Sequence, residues 1–160
     1  YGFGAAAHLV AQVARQEGFD QVLWTDAKEH KYIDEAGVMN VMFVVDGKLI
    51  TPKLTSALLE GVTRDSILTL APGLGMTIEE RRVSVAEIEE AFKKGTITEA
   101  FGTGTAAVVS PIATINIHGV DYNLPAAGPE SFQLRVKEKL NNIRLGFEPD
   151  EYGWNYIIPA

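Results

Sequence analysis

The sequence has no cysteine, and this absence excludes disulfides and thiolate metal sites. It fits a reducing compartment, so a cytoplasmic location is expected. No apolar run approaches the roughly 20 residues of a transmembrane helix, and no secretory signal pattern is present. Basic residues do not cluster and the net charge is −7, which argues against nucleic acid and anionic membrane surfaces as partners.

The composition is that of an ordinary globular protein, with 160 residues, 46% hydrophobic and 22% charged. This length suits one domain with a sizeable core. The chain opens at Tyr1 without Met, so we expect it to come from the interior of a longer protein. Apolar periodicity predicts a mixed α/β or α+β layered domain. The predicted helices cover 5–17, 61–71, 84–94 and 128–142, and the predicted strands 21–25, 31–33, 41–45, 48–51, 76–83, 108–112, 113–118 and 120–124.

A short stretch from Phe101 to Ala107 is rich in glycine and threonine and leads into apolar residues. We predict a sharp turn at the start or end of a strand, with Gly102 and Gly104 letting the main chain approach a ligand. Successive exposed N–H groups in such a turn bind anions, and the hydroxyls of Thr103 and Thr105 add donors. A phosphate or carboxylate is the expected ligand. The alternative is a plain glycine-rich turn with threonines in strand positions.

Two other places point to the same chemistry. Val62 and Thr63 open a predicted helix, where unpaired N–H groups and the helix dipole attract an anion, although Thr63 could simply cap the helix. Glu35 falls in a predicted break over 34–40 between apolar strands, where it either points into a site or remains a solvent-facing turn acid.

Together these features fit a phosphorylated aromatic cofactor whose ring nitrogen is kept protonated by a carboxylate. Such a cofactor also needs a lysine for its Schiff base, and Lys28 lies in a polar turn that does not suit this role. His8 lies near the inner face of the first predicted helix, where a structural role is favoured over a metal ligand.

Four segments, 20–24, 29–40, 61–65 and 101–106, run in the order of a known family, and the resemblance extends over nearly the whole chain. In them the sequence closely resembles the C-terminal large domain of branched-chain amino acid aminotransferases, which are fold-type IV pyridoxal-phosphate enzymes. The resemblance implies mixed sheets or a pseudo-barrel flanked by helices. It also implies that residues 1–160 are the cofactor-binding domain of a homodimeric enzyme, without its small N-terminal domain. The expected substrates are leucine, isoleucine or valine with 2-oxoglutarate.

The resemblance also implies a role for individual residues. Glu35 matches the acid that pairs with the pyridine nitrogen, and Leu59 matches the residue that packs on the ring. The expected phosphate ligands are Gly61, Val62, Thr63 and Thr105. The turn expected to meet the substrate α-carboxylate consists of Gly104, Thr105 and Ala106.

The chain departs from the family pattern where the Schiff-base lysine belongs. That lysine lies in a Lys-x-Gly-Gly-Asn-Tyr pattern, and Tyr1 to Gly4 occupy its neighbourhood here, so we expect it one or two positions before Tyr1. The asparagine and tyrosine of the pattern are not matched, and Val38 stands where many members carry a hydroxyl. The alternatives are a D-amino acid aminotransferase, an aminodeoxychorismate lyase or a non-catalytic binding domain. No catalytic residue and no metal ligand is predicted within the chain itself.

Overall fold

The computed structural model describes residues 4–158, with side chains from residue 7 onward. In that part of the chain the helices are α1 (Gly4–Gln16), α2 (Val62–Leu70), α3 (Val85–Lys94) and α4 (Phe132–Leu145), with a 3-10 turn at Pro72–Leu74. The strands are β1 (Leu23–Thr25), β2 (Ile33–Ala36), β3 (Met39–Val45), β4 (Lys48–Pro52), β5 (Thr77–Arg81), β6 (Ile97–Gly104), β7 (Val108–Pro111), β8 (Thr114–Ile117) and β9 (Val120–Asn123). None of these helices is long and apolar enough to cross a bilayer.

Strand β3 lies at the centre of a seven-stranded mixed sheet. β6 pairs antiparallel along one edge of β3, while β2 and β4 share the other edge. β1 extends the sheet beside β2, β7 extends it beside β6, and β5 joins β4 in parallel. The apolar run of β3 is continuous because both of its faces are covered, and Val41, Met42 and Phe43 are fully buried.

The alternation of side chains along β3 divides the core into two clusters, one on each face of the sheet. Val41 and Phe43 point to the face that is covered by α3 and the β8–β9 hairpin. Met42 and Val44 point to the opposite face, which is covered by α2 and α4. This arrangement is the mixed, layered domain that the periodicity predicts.

Several turns and caps follow from short local sequence signals. Asp46-Gly47 and His118-Gly119 both adopt positive φ in two-residue hairpins, at 49° and 72° and at 52° and 82°. The Ser84 side chain accepts a hydrogen bond from Glu87 N at 3.1 Å and caps α3.

The predicted start of the last helix at residue 128 is wrong, since α4 begins at Phe132. The reason is a long-range cap. The buried carboxylate of Glu99 on β6 accepts hydrogen bonds from Phe132 N at 2.7 Å and Gln133 N at 2.8 Å, and these satisfy the first amides of the helix.

The aromatic tail is largely exposed in the chain alone. Tyr156, Ile157 and Ile158 are 88%, 85% and 80% exposed. Tyr152 and Trp154 stack on each other, with ring centroids 4.5 Å apart.

Candidate functional site

A cleft of about 280 Å³ lies on the α2–α4 face of the sheet, where α2 begins. We call it the Glu35 cleft. It brings together the predicted site residues of three distant segments, and no lysine or arginine occurs among the described residues that line it: Glu35, Val38, Asn40, Leu59, Glu60, Gly61, Val62, Thr63, Thr103, Gly104 and Thr105.

A polar row crosses the sheet at the edge of this cleft. Glu35 on β2 pairs with Asn40 on β3, and Asn40 pairs with Thr103 on β6. Directly opposed residues in antiparallel strands point to the same face, so the three side chains form one row. The next row on this face is apolar, with Met42 opposite Phe101. The sheet therefore turns from core to polar site within two residues.

Glu35 is half-buried and lies within strand β2, so the predicted break over 34–40 is wrong except at the Gly37-Val38 turn. Its Oε1 accepts a hydrogen bond from Leu59 N at 3.2 Å and lies 3.5 Å from Asn40 Nδ2. Burial raises the pKa of this carboxyl, the Leu59 N–H opposes the rise, and the charge of Asp34 adds to it. A cationic group in the cleft would stabilise the charged form.

The N-terminus of α2 opens into the cleft without a side-chain cap. Gly61 is the N-cap residue, and Val62 and Thr63 are the first two helical residues. Thr63 therefore does not cap the helix, and this alternative is wrong. The first-turn amides and the helix dipole make this end a place where an anion binds favourably.

Arg64, the next residue of α2, points away from the cleft. It is only 4% exposed and donates to Pro52 O at 3.0 Å and to Glu80 Oε2 at 2.7 Å. The guanidinium therefore fixes the start of α2 against β4 and β5, while the anion-binding capacity of the cleft comes from main-chain amides.

The predicted turn at Phe101–Ala107 is shorter than expected. Residues up to Gly104 continue strand β6, and only Thr105 to Ala107 form the turn, where all three residues are exposed. Thr105 lines the cleft, whereas Ala106 lies beside it without lining it. Val108 then has a φ of 60°, a strained value for a β-branched residue, and such strain often accompanies functional sites.

Gly102 and Gly104 have a packing role that the sequence does not predict. Neither has a positive φ, and both face Met39 on β3. A Cβ at Gly102 would lie 2.7 Å from Met39 Cε, and one at Gly104 would lie 3.3 Å from Met39 Cγ. These glycines make room for a neighbouring side chain instead of freeing the backbone.

Thr103 contributes a hydroxyl whose hydrogen-bonding needs are unmet within residues 4–158. The residue is 2% exposed, it lines the cleft, and its Oγ1 is buried without a partner there. Buried polar atoms normally have partners, because an unpaired one costs about 1–3 kcal/mol. The orphaned hydroxyl fits a cleft built to receive a polar ligand.

Comparison with known proteins identifies the family. Residues 5–115 match the family model described as amino-transferase class IV. The chain belongs to the class IV aminotransferases. A Staphylococcus epidermidis protein with the description "Probable branched-chain-amino-acid aminotransferase" is 43% identical over 155 residues, which is 96% of this chain and 43% of that protein. Branched-chain-amino-acid aminotransferase 2 of Bacillus subtilis is 38% identical over 156 residues, 98% of this chain and 43% of its own length.

Solved structures of class IV relatives confirm the predicted fold. The branched-chain amino acid aminotransferase of Escherichia coli superposes with a TM-score of 0.74 at 31% identity, over 92% of this chain and 46% of that one. The pyridoxal-phosphate form of the enzyme from Thermobaculum terrenum gives 0.71 at 30% identity, over 86% and 41%. The chain therefore spans less than half the length of these relatives.

Asn40 lines this cleft, although the sequence predicts no role for it, whereas the Thr103 hydroxyl is a predicted donor to the anion. Asn40 was placed in the supposed break, and Thr103 in the turn. The available signal was an amide beside an apolar strand, since a buried amide must find partners outside its own strand.

Proposed function

We propose that this chain is the C-terminal, cofactor-binding domain of a branched-chain amino acid aminotransferase. The complete enzyme would use pyridoxal phosphate to move an amino group between leucine, isoleucine or valine and 2-oxoglutarate. The observation that carries the proposal is the Glu35 cleft, where a half-buried carboxylate faces an uncapped helix N-terminus. The names of the relatives support the substrate class.

The residues of the cleft fit the cofactor in chemistry. A phosphate suits the open amides of α2 at Val62 and Thr63, and the orphaned Thr103 hydroxyl offers a polar contact nearby. Glu35 would hold a proton on the ring nitrogen, because a cationic N–H offsets the desolvation of the charged carboxylate, which raises its pKa. Leu59 is 55% exposed and would pack on the ring.

The remaining roles concern the two acidic groups that the site must bind. Gly61 and Thr105 would complete the phosphate contacts, and the amides of Gly104, Thr105 and Ala106 would bind the substrate α-carboxylate. The exposed turn at Thr105–Ala107 supports this role, since its main chain is open to solvent beside the cleft. When bound, pyridoxal phosphate supplies a carbonyl that takes up the amino group and a ring that accepts electrons.

The groups that complete the enzyme lie outside the described residues. The lysine that would hold the cofactor and move the α-proton is expected just before Tyr1, which itself falls outside that range. We further propose a homodimer in which the partner's small domain closes the site, working in the cytoplasm. The family resemblance supports the homodimer, and the lack of cysteine fits a reducing compartment.

Turnover of the full-length protein tests the proposal. We expect amino transfer from L-leucine to 2-oxoglutarate when pyridoxal phosphate is present, and little transfer from D-alanine. Residues 1–160 alone should show no turnover. Preference for D-alanine would favour a D-amino acid aminotransferase, and a residue other than lysine at both positions before Tyr1 would favour a non-catalytic domain.

A further inference from the structure

Asn40 lies where three parts of the Glu35 cleft meet. It is 7% exposed, and it sits in register between Glu35 on β2 and Thr103 on β6. Its amide faces the loop that leads into α2, so it contacts the two elements that would hold opposite ends of a ligand.

The side-chain nitrogen of Asn40 connects a carboxylate with a main-chain carbonyl. Nδ2 donates to Leu59 O at 2.9 Å and lies 3.5 Å from Glu35 Oε1. Leu59 N in turn donates to the same Glu35 oxygen at 3.2 Å. These three contacts form a closed ring that joins Glu35, Asn40 and the backbone N–H and C=O of Leu59.

The side-chain oxygen of Asn40 touches the start of α2. A Cβ built on Gly61 would lie 2.2 Å from Asn40 Oδ1, closer than real atoms approach. Gly61 has φ −70° and ψ 127°, which any residue adopts, so backbone conformation does not require glycine here. A side chain at position 61 would therefore force the Asn40 amide to move from its contacts with Leu59 and Glu35.

We infer that Asn40 is a positioning residue that sets the distance between the Glu35 carboxylate and the amides at the N-terminus of α2. This inference rests on the proposed function, in which the Glu35 carboxylate binds the ring nitrogen and the α2 amides bind the phosphate of one cofactor. A rigid cofactor needs both groups at a fixed separation, and preorganisation of this kind raises affinity.

A double-mutant cycle with the full-length protein tests the inference. Asn40→Ala removes the side chain that contacts Glu35 and Leu59, and Gly61→Ala displaces the Asn40 side-chain amide. Each variant should therefore weaken pyridoxal phosphate binding about tenfold. The clash at position 61 disappears when Asn40 is already alanine. The double variant should therefore bind about tenfold more weakly than wild type, whereas independent effects would give about 100-fold.

Two further readouts separate positioning from general stability. Loss of the Nδ2 donor should raise the pKa of Glu35, so Asn40→Ala should shift the acid limb of the pH profile of the bound cofactor's absorption to higher pH. In the cofactor-free protein, hydrogen exchange at the Leu59 amide should become faster. Asn142→Ala is the matched control. Asn142 lies on α4, and its Nδ2 likewise donates to a carboxylate, that of Glu148, at 2.9 Å.

Each outcome decides a different point. Wild-type affinity and an unchanged pH profile in Asn40→Ala, or a 100-fold loss in the double variant, would overturn the inference while leaving the proposed function standing. A wild-type protein that does not bind pyridoxal phosphate would overturn the proposed function. In that case the hydrogen-exchange measurement still decides whether Asn40 holds Leu59, and unchanged exchange would refute it.

Discussion

Two clefts of similar volume lie on opposite faces of the sheet. The Glu35 cleft measures about 280 Å³. The second, about 250 Å³, lies on the α3 face, and we call it the His30 cleft after one of its lining residues: Leu23, Thr25, His30, Ile33, Val85, Ile88, Asn116, Ile117 and His118. Volume does not distinguish them, but α2 begins at the Glu35 cleft without a side-chain cap, whereas α3 begins at the His30 cleft with Ser84 as its cap.

Two polar side chains at and beside the His30 cleft are hydrogen-bonded within the protein. Asn116 donates to Asp121 at 2.6 Å and accepts from Gly119 N at 3.1 Å. The nearby Asp26 carboxylate accepts three main-chain amides, from Glu29, Lys31 and Tyr32. The Glu35 cleft instead has an uncapped helix, an orphaned hydroxyl and a half-buried acid. The Glu35 cleft therefore offers hydrogen-bonding groups to a ligand.

Neutralising Glu35 should have the largest effect and tests whether the two clefts differ in function. In the full-length protein, Glu35→Gln should lower kcat/KM for leucine by on the order of 10²-fold, because an amide cannot hold a proton on the ring nitrogen electrostatically. His118→Asn in the other cleft is the control, since asparagine tolerates the positive φ of that position. A comparable loss in the control would mean that the two clefts do not differ in function.

The next largest effect should come from the cation that anchors α2. Arg64→Met removes a buried guanidinium from Pro52 O and Glu80 and should lower the free energy of unfolding by about 2–3 kcal/mol. Arg82→Met removes an exposed pair with Glu29 at 3.4 Å and a stacking contact with the Tyr32 ring, and should cost about 1 kcal/mol. Urea unfolding measures both, and equal losses would contradict the structural role of Arg64.

A smaller effect should separate two buried threonines. Thr103→Val removes an orphaned hydroxyl, so the cofactor-free protein should be unchanged or more stable by about 1 kcal/mol, while pyridoxal phosphate binds several-fold more weakly. Thr51→Val removes a bond to Val41 O at 2.8 Å and should cost about 1 kcal/mol without affecting binding. Thermal unfolding with and without cofactor distinguishes them, and a destabilised Thr103→Val would show that its hydroxyl has a partner.

Features with a local cause were predictable from the sequence. Apolar runs gave the central strand and the helices, and the Asp46-Gly47 and Ser84 signals gave a hairpin and a cap. Each depends on residues within a few positions of one another, so spacing along the chain carries the information. The family resemblance then brought Glu35, Thr63 and Thr105 to one site, and all three line the same cleft.

Features with a distant cause were not predictable in this way. Glu99 caps α4 from 33 residues away, and Asn40 reaches Leu59 across 19. Glu35 was placed in a break because acid and glycine together indicate a turn, yet pairing with Asn40 holds it in a strand. In each case a partner brought close by tertiary folding overrides the local preference, and the roles of the cleft residues remain predictions for the same reason.

The smallest effect concerns two carboxyl groups whose pKa values move in opposite directions. Burial raises the pKa of Glu35 above its ordinary value of 4.5. Main-chain N–H groups, foremost that of Tyr32, lower the pKa of Asp26 from 3.8 to about 2. By linkage, the protonated Glu35 stabilises the fold at low pH and this contribution is lost as the pH rises past 4.5. Charged Asp26 contributes stability above pH 3.8, which is lost as the pH falls toward 2.

Two neutral variants of the cofactor-free protein should therefore change stability with opposite pH dependence. Glu35→Gln should be more stable than wild type at pH 7, and the difference should shrink as the pH falls toward 4.5, because wild-type Glu35 becomes protonated. Asp26→Asn should be less stable at pH 7, and its deficit should shrink only as the pH falls from about 4 toward 2. Thermal midpoints across that range measure both. A Glu35→Gln variant that is less stable at pH 7 would show that its carboxylate already has a cationic partner, and the contrast between the two clefts would then lose its main support.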